Sequence, residues 1–98
     1  MDESKFREFD PAEYLDSDEM IAGYLAEIME TGDIDLILSA LGDVARARGM
    51  GAVAGNAGIS RESLHKSLRP GSHPRFDTIL KLFRALNLTL RPVSKAAV

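Results

Sequence analysis

Four polar side chains that can contact DNA bases lie within a short stretch, "SRESLHKSL", of residues 60–68. They are Arg61, Glu62, His65 and Lys66. Arginine and lysine donate hydrogen bonds to guanine O6 and N7, and a carboxylate accepts one from the cytosine N4 amino group. Presented from one helix, this set is typical of a helix that reads base edges in the DNA major groove. The alternative is a polar surface without a ligand.

The same region gives little support for catalysis or for a metal centre. His65 and His73, the two histidines, stand eight residues apart, and the chain has no cysteine. This spacing is not that of a zinc motif. Ser60 and Ser63 have no histidine base in helical register before them, and the glycines of residues 49–58 do not follow a strand as a dinucleotide loop would. We predict that the protein is not an enzyme and binds no cofactor.

A sharp corner between two short helices would position the polar residues. Gly58 is suited to the left-handed conformation that ends a helix, and Ser60 is suited to cap the next one. Ala54 is small enough to let the second helix approach, while Ile59 and Leu64 would lock the corner. This is the outline of a helix-turn-helix, in which the second helix enters the major groove.

Periodicity and capping signals predict an all-α domain of about five helices with one short C-terminal strand. The helices are predicted at residues 17–30, 34–48, 50–57, 60–68 and 76–86, and the strand at residues 88–91. We expect an acidic N-terminal arm over residues 1–16, the helical domain over 17–92 and a frayed tail over 93–98. Asp16 is the expected cap of the first helix and Asn87 the left-handed cap of the last. The apolar faces of the helices are expected to point inward, including Ile21, Tyr24, Leu25, Ile28, Ile34, Ile37, Leu38, Leu41, Val44, Ala45, Phe76, Ile79, Leu80, Phe83 and Leu86.

Charge is divided unevenly along the 98 residues. Residues 1–35 hold twelve acidic and two basic residues, and residues 36–98 hold three acidic and ten basic ones. Such a division indicates two partners of opposite charge, although an acidic arm that only aids solubility is the simpler alternative. The lack of cysteine and of a long apolar run fits a cytoplasmic protein.

The segment "GMGAVAGNAGISRESLHKSLRPGSHPRFDTILKLFRALNLTL" (49–90) resembles the lambda-repressor-type (Xre/Cro) helix-turn-helix domain. Together with "FDPAEYLDSDEMIAGYLAEIMETGD" (9–33) and "LILSALGDVARARGM" (36–50), it is similar to the HigA-like addiction-module antidotes, or DNA-binding prophage proteins. The resemblance covers about residues 9–91. It implies an antitoxin that neutralises a RelE/HigB-type ribonuclease toxin and represses its own operon. One departure is Gly51-Ala52, which stands where relatives have a Thr-Gln pair that caps the helix and contacts phosphate.

By position in the resembling family, Ser60, Arg61, Glu62 and Lys66 would face bases, and Ser72 and Arg75 would contact the DNA backbone. His65, on the exposed side of the recognition helix, and Arg69, in the loop after it, complete the predicted DNA-binding set. The predicted toxin-binding residues are apolar side chains among the acidic ones, namely Phe6, Phe9, Tyr14, Leu15, Tyr24 and Leu25.

A single strand needs a partner, so we expect Leu88, Leu90 and Arg91 to form a homodimer interface across a twofold axis. A dimer of this kind would bind operator DNA with an inverted repeat. Two other functions stay open at this point. One is a stand-alone prophage regulator without a toxin, and the other is a protein-interaction module that has lost DNA binding.

Overall fold

The computed structural model describes residues 17–95, which form five helices and no strand. The helices are α1 (Asp18–Met29), α2 (Ile34–Arg48), α3 (Met50–Ala57), α4 (Arg61–Ser67) and α5 (Phe76–Ala85). Among these described residues, no helix is long and apolar enough to cross a membrane. The all-helical fold class is therefore confirmed for this part of the chain.

Short-range signals define where most helices begin and end. Ser17 caps α1 by accepting a hydrogen bond from the backbone N–H of Met20 at 3.2 Å, so the cap is one residue later than predicted. Asp33 caps α2 in the same way through Leu36 N–H at 3.1 Å. Asn87 follows α5 with a φ of 63°, which is the predicted left-handed conformation.

The core lies around α3, which packs against α2, α4 and α5, while α1 packs on α2. Its largest fully buried side chains are Ile21, Leu25, Leu41, Val44, Leu64 and Leu82. Leu82 is missing from the predicted inward face, although it follows the same helical spacing. By contrast, Ile34 is 59% exposed and Phe76 is 67% exposed, so the prediction that both point inward is wrong. Each is the first residue of its helix and lines an open groove instead of a filled part of the core.

Asp18 joins three helix ends. Its Oδ1 accepts a hydrogen bond from Arg48 Nη2 at 2.7 Å, and its Oδ2 accepts one from Asn87 Nδ2 at 2.8 Å. Arg48 is the last residue of α2, and Asn87 lies just after α5. The negative carboxylate lies at the positive end of the α1 dipole, and the positive guanidinium lies at the negative end of the α2 dipole, so both charges stabilise their helices.

The predicted strand at residues 88–91 is not formed. Instead, the segment folds back on its own domain, beginning with a 2.8 Å hydrogen bond from Leu88 N–H to the carbonyl of Phe83. Leu88 and Leu90 are half-buried against the core, and Thr89 and Arg91 are exposed. The alternation that predicted a strand therefore reflects a segment lying on the domain, because one strand alone has no neighbour for ladder hydrogen bonds.

Candidate nucleic-acid interface

The corner between α3 and α4 is closed by backbone hydrogen bonds. Gly58 has a φ of 74°, and its N–H donates to the carbonyl of Gly55 at 3.2 Å. Ile59 N–H donates to the carbonyl of Ala54 at 3.0 Å. These two bonds form a Schellman motif, which satisfies carbonyls that the end of α3 would otherwise leave unpaired. The left-handed glycine is the predicted one, and Ala54 beneath it is buried.

Ser60 begins the second helix of the motif. Its Oγ accepts a hydrogen bond from Ser63 N–H at 2.9 Å and donates one to Ser63 Oγ at 2.9 Å. The predicted N-cap is therefore present. This hydroxyl donates its proton and accepts one hydrogen bond within the first turn of α4, so its role in the structure is to hold the helix start.

Helix α4 docks through one side and presents the other to solvent. Leu64 has no exposed surface and Leu68, just after the helix, is buried. The four predicted contact residues Arg61, Glu62, His65 and Lys66 are exposed and form no ion pair with any described residue. Their side chains can thus reach an external ligand without first breaking an ion pair to a described residue.

The loop after α4 is held in place from both sides. Gly71 N–H donates to Asp35 Oδ1 on α2 at 2.9 Å, and Ser72 Oγ donates to the carbonyl of Ser67 at 2.8 Å. Arg69 is exposed without an ion pair among residues 17–95, whereas Arg75 Nε donates to Asp77 Oδ1 at 3.2 Å. Of the three predicted loop contacts, Arg69 and the 85% exposed Arg75 carry the accessible positive charge.

The first helix of the motif starts without a side-chain cap. Its N-cap is Gly49, with a φ of 99°, and no side chain accepts from the first turn of α3. Gly51 and Ala52 lie exposed in that turn. The N-cap of α3 thus lies two residues before Gly51, so Gly51-Ala52 is not the position at which a side chain would cap this helix.

The predicted toxin-binding residues fall in different environments. Phe6, Phe9, Tyr14 and Leu15 lie outside the described residues. Leu25 is only 2% exposed, so it belongs to the core, and the prediction that it contacts the toxin is wrong. Tyr24 is half-buried between α1 and α2, where its hydroxyl donates to Asp43 Oδ2 at 3.3 Å. Burial, followed by the neighbouring charge of Asp43 and this hydrogen bond, raises the pKa of Tyr24.

Of the predicted dimer residues, Leu88 and Leu90 are half-buried against the core of their own domain. Only Arg91 of the three is exposed. Sequence reasoning missed a neighbouring apolar groove of about 350 Å³ between the start of α2 and α5. The exposed Ile34 and Phe76 lie on it, with Leu90 contributing to its lining. The sequence signal that could have indicated this groove is a large apolar residue at the start of each of the two helices, Ile34 and Phe76.

Comparisons with known proteins give a matching family and a similar protein. The family described as "Probable addiction module antidote protein" matches residues 5–94. An uncharacterized protein of Haemophilus influenzae is 52% identical over 84 residues, which cover 86% of this chain and 87% of that one. No solved structure gives a significant match.

Proposed function

This chain belongs to the family of probable addiction module antidote proteins, and from that premise we propose that it neutralises a RelE/HigB-type ribonuclease toxin and represses its own operon. The observation that carries the DNA-binding part is the exposed face of α4. Its polar side chains are free of ion pairs among the described residues, while the Ser60 cap and the buried Leu64 hold the helix in place.

In the proposed complex, α4 lies in the major groove of operator DNA. Arg61 and Lys66 contact guanine O6 and N7, and Glu62 accepts from a cytosine N4 amino group. His65 borders these base contacts. Ser60 supports them by capping the first turn of α4. Arg69, Ser72 and Arg75 face the phosphates, with Ser72 also holding its loop to the end of α4.

A second copy of the chain is the proposed occupant of the apolar groove. A twofold interface must be complementary to itself, which requires a projection and a recess on the same surface. Phe76, 67% exposed, is the projection, and the groove beside it is the recess. The dimer would place two α4 helices one DNA turn apart, about 34 Å, on an inverted repeat. Leu88 and Leu90 then support the interface from beneath, and Arg91 lies at its edge.

The toxin surface is proposed at the acidic N-terminal third. A ribonuclease needs a basic surface for its polyanionic substrate, and an acidic segment can compete for that surface. Phe6, Phe9, Tyr14 and Leu15 would supply apolar anchors, and the charges would mainly accelerate association. Within the described residues, α1 continues this acidic character with Asp18 and Glu19 in its first turn and no basic residue in its last. Tyr24 contributes at most the exposed part of its ring.

The DNA-binding role is tested with duplexes from the region upstream of the chain's own gene and with scrambled duplexes. Arg61→Ala is expected to reduce affinity for the upstream duplex by about 1–3 kcal/mol and to leave the scrambled duplex little changed. Arg75→Ala is expected to weaken both alike. Equal losses for both variants on both duplexes would contradict the assigned roles. A wild-type protein that binds neither duplex would instead favour the protein-interaction module.

The toxin role is tested separately by co-expression with the toxin encoded beside the gene. Deletion of residues 1–15, and a double change of Phe9 and Tyr14 to alanine, are expected to abolish neutralisation and to spare DNA binding. Arg61→Ala is the matched control, since it should neutralise normally. If the truncated and full-length chains neutralise equally, the acidic arm is not the toxin surface. The absence of any neighbouring toxin gene would favour a stand-alone regulator.

A further inference from the structure

A second groove, of about 310 Å³, lies between α2 and the C-terminal half of α4. Ser39, Gly42 and Arg46 line it from α2, and His65 and Arg69 line it from the other side. None of its lining residues is acidic. It therefore combines two guanidinium groups, an imidazole and a hydroxyl, which are all groups that donate hydrogen bonds to an anion.

The α2 wall holds its arginine in a fixed place. Residues 39, 42 and 46 fall on one side of the helix because they are three and four positions apart. A side-chain carbon added at Gly42 would come within 3.4 Å of Arg46 Nη1, so the glycine gives the guanidinium room to fold back along the helix. Asp43 forms an ion pair with Arg46 Nη2. Asp43 therefore pairs with one edge of the guanidinium, and the side chain remains 60% exposed and open to a ligand.

The opposite wall is fixed by the hydrogen bonds of the loop after α4. The bond from Gly71 N–H to Asp35 Oδ1, at 2.9 Å, ties this loop to the first turn of α2. Arg69 stands two residues before that tie, and His65 lies one helical turn before Arg69. Neither forms an ion pair within residues 17–95. Because both walls are already set, binding an anion here would cost little ordering of the backbone.

We propose that this groove binds a phosphate group of the DNA backbone, with Ser39 and Arg46 as contact residues on α2. The inference rests on the proposed function and extends the DNA-binding surface beyond α4 and its loop. Guanidinium groups match phosphate oxygens in bidentate geometry, and serine hydroxyls are common donors to phosphate. DNA is favoured over a free phosphate because His65 and Arg69 belong to the recognition helix and its loop. A strand that passes α4 would reach the groove directly.

The test compares full-length variants on mixed-sequence duplex DNA over a series of salt concentrations. Arg46→Gln is expected to weaken binding by roughly five- to tenfold and to reduce the slope of log K against log salt by about 1. Ser39→Glu, which adds a carboxylate to the groove at an exposed helical position, is expected to weaken binding at least as much. Arg84→Gln, an exposed arginine on α5, is the matched control and should keep the wild-type slope.

A second experiment titrates the protein with inorganic phosphate and follows the NMR chemical shifts of the backbone amides around residues 39–46. Weak binding of free phosphate, together with the reduced salt slope, supports the proposal. Saturable binding of inorganic phosphate with an unchanged slope for Arg46→Gln would overturn it in favour of a free anionic ligand. An unchanged slope for both groove variants, with wild-type unfolding temperatures, would also overturn it. Since the wild-type protein would still bind DNA in that case, the proposed function would survive; loss of wild-type binding would refute both.

Discussion

Removal of the Ser60 hydroxyl separates helix capping from DNA contact. In Ser60→Ala, the Ser63 N–H loses its acceptor at 2.9 Å, and α4 begins without a cap. Loss of a serine N-cap costs about 1 kcal/mol, within a range of about 0.5–2. For a domain of this size, that corresponds to a fall in unfolding temperature of about 4–8 °C. Because α4 has only seven residues, the fraying would reach Arg61 and Glu62 and would also reduce DNA affinity.

Thermal unfolding by circular dichroism and binding to the upstream duplex give the two measurements. Ser60→Asp is the informative partner variant, because aspartate caps as well as serine and is favoured at a helix N-terminus. It should restore the unfolding temperature, while its carboxylate repels the phosphates and keeps DNA affinity low. Ser63→Ala is the control, since it leaves the capped backbone N–H in place.

An unfolding temperature of Ser60→Ala equal to that of the wild type would refute the capping argument. Wild-type DNA affinity for Ser60→Asp would show that this end of α4 points away from the phosphates. Either result would require a different orientation or a different anchor for α4.

Three further outcomes follow from single positions. Gly58→Ala should destabilise the fold by about 1–2 kcal/mol in urea unfolding because its φ is 74°, whereas Gly55→Ala, at an open helical position, should stabilise it by up to about 1 kcal/mol. Phe76→Lys should sediment as a monomer, and its unfolding temperature should not change because Phe76 is 67% exposed. The control variant Met20→Lys, which changes an exposed residue outside the groove, should stay dimeric. A Phe76→Lys variant that sediments as a dimer would rule out this interface. Tyr24→Phe should lose about 1 kcal/mol at neutral pH with its hydrogen bond. The pKa of Tyr24 is raised in the folded protein. The wild type should therefore exceed this variant in free energy of unfolding by the full amount below the unfolded-state pKa of about 10, and the difference should decline as pH rises through the folded-state pKa. A difference that stays constant over this pH range would contradict the assignment.

Local chemistry made the corner between α3 and α4 predictable. The left-handed Gly58 and the capping Ser60 each depend on neighbours within a few residues, so their residue types were sufficient. Periodicity likewise located each helix to within about a residue at either end. It failed at Ile34 and Phe76, because the pattern reports which side of a helix a residue occupies and not whether other side chains fill the space beside it.

Contacts between distant segments could not be predicted. The tie between Asp35 and Gly71, which helps to form the cationic groove, joins residues 36 positions apart. Nothing in the local sequence of either residue distinguishes it from an ordinary capping-region aspartate or a loop glycine. The same applies to residues 88–91, whose alternation was visible, whereas the surface that this segment covers depends on where α1 and α5 meet it.

The hydrogen bond between Asp18 and Asn87 joins residues 69 positions apart, and this separation has a consequence for the order of events during synthesis. Contacts so distant in sequence close large loops and form only when both partners exist. On the ribosome, N-terminal segments emerge first. The junction at Asp18 therefore cannot close until the residues that follow α5 have been made, whereas the N-terminal residues have been synthesised long before. If the acidic arm binds toxin as proposed, a nascent chain can engage its toxin before it is able to bind DNA.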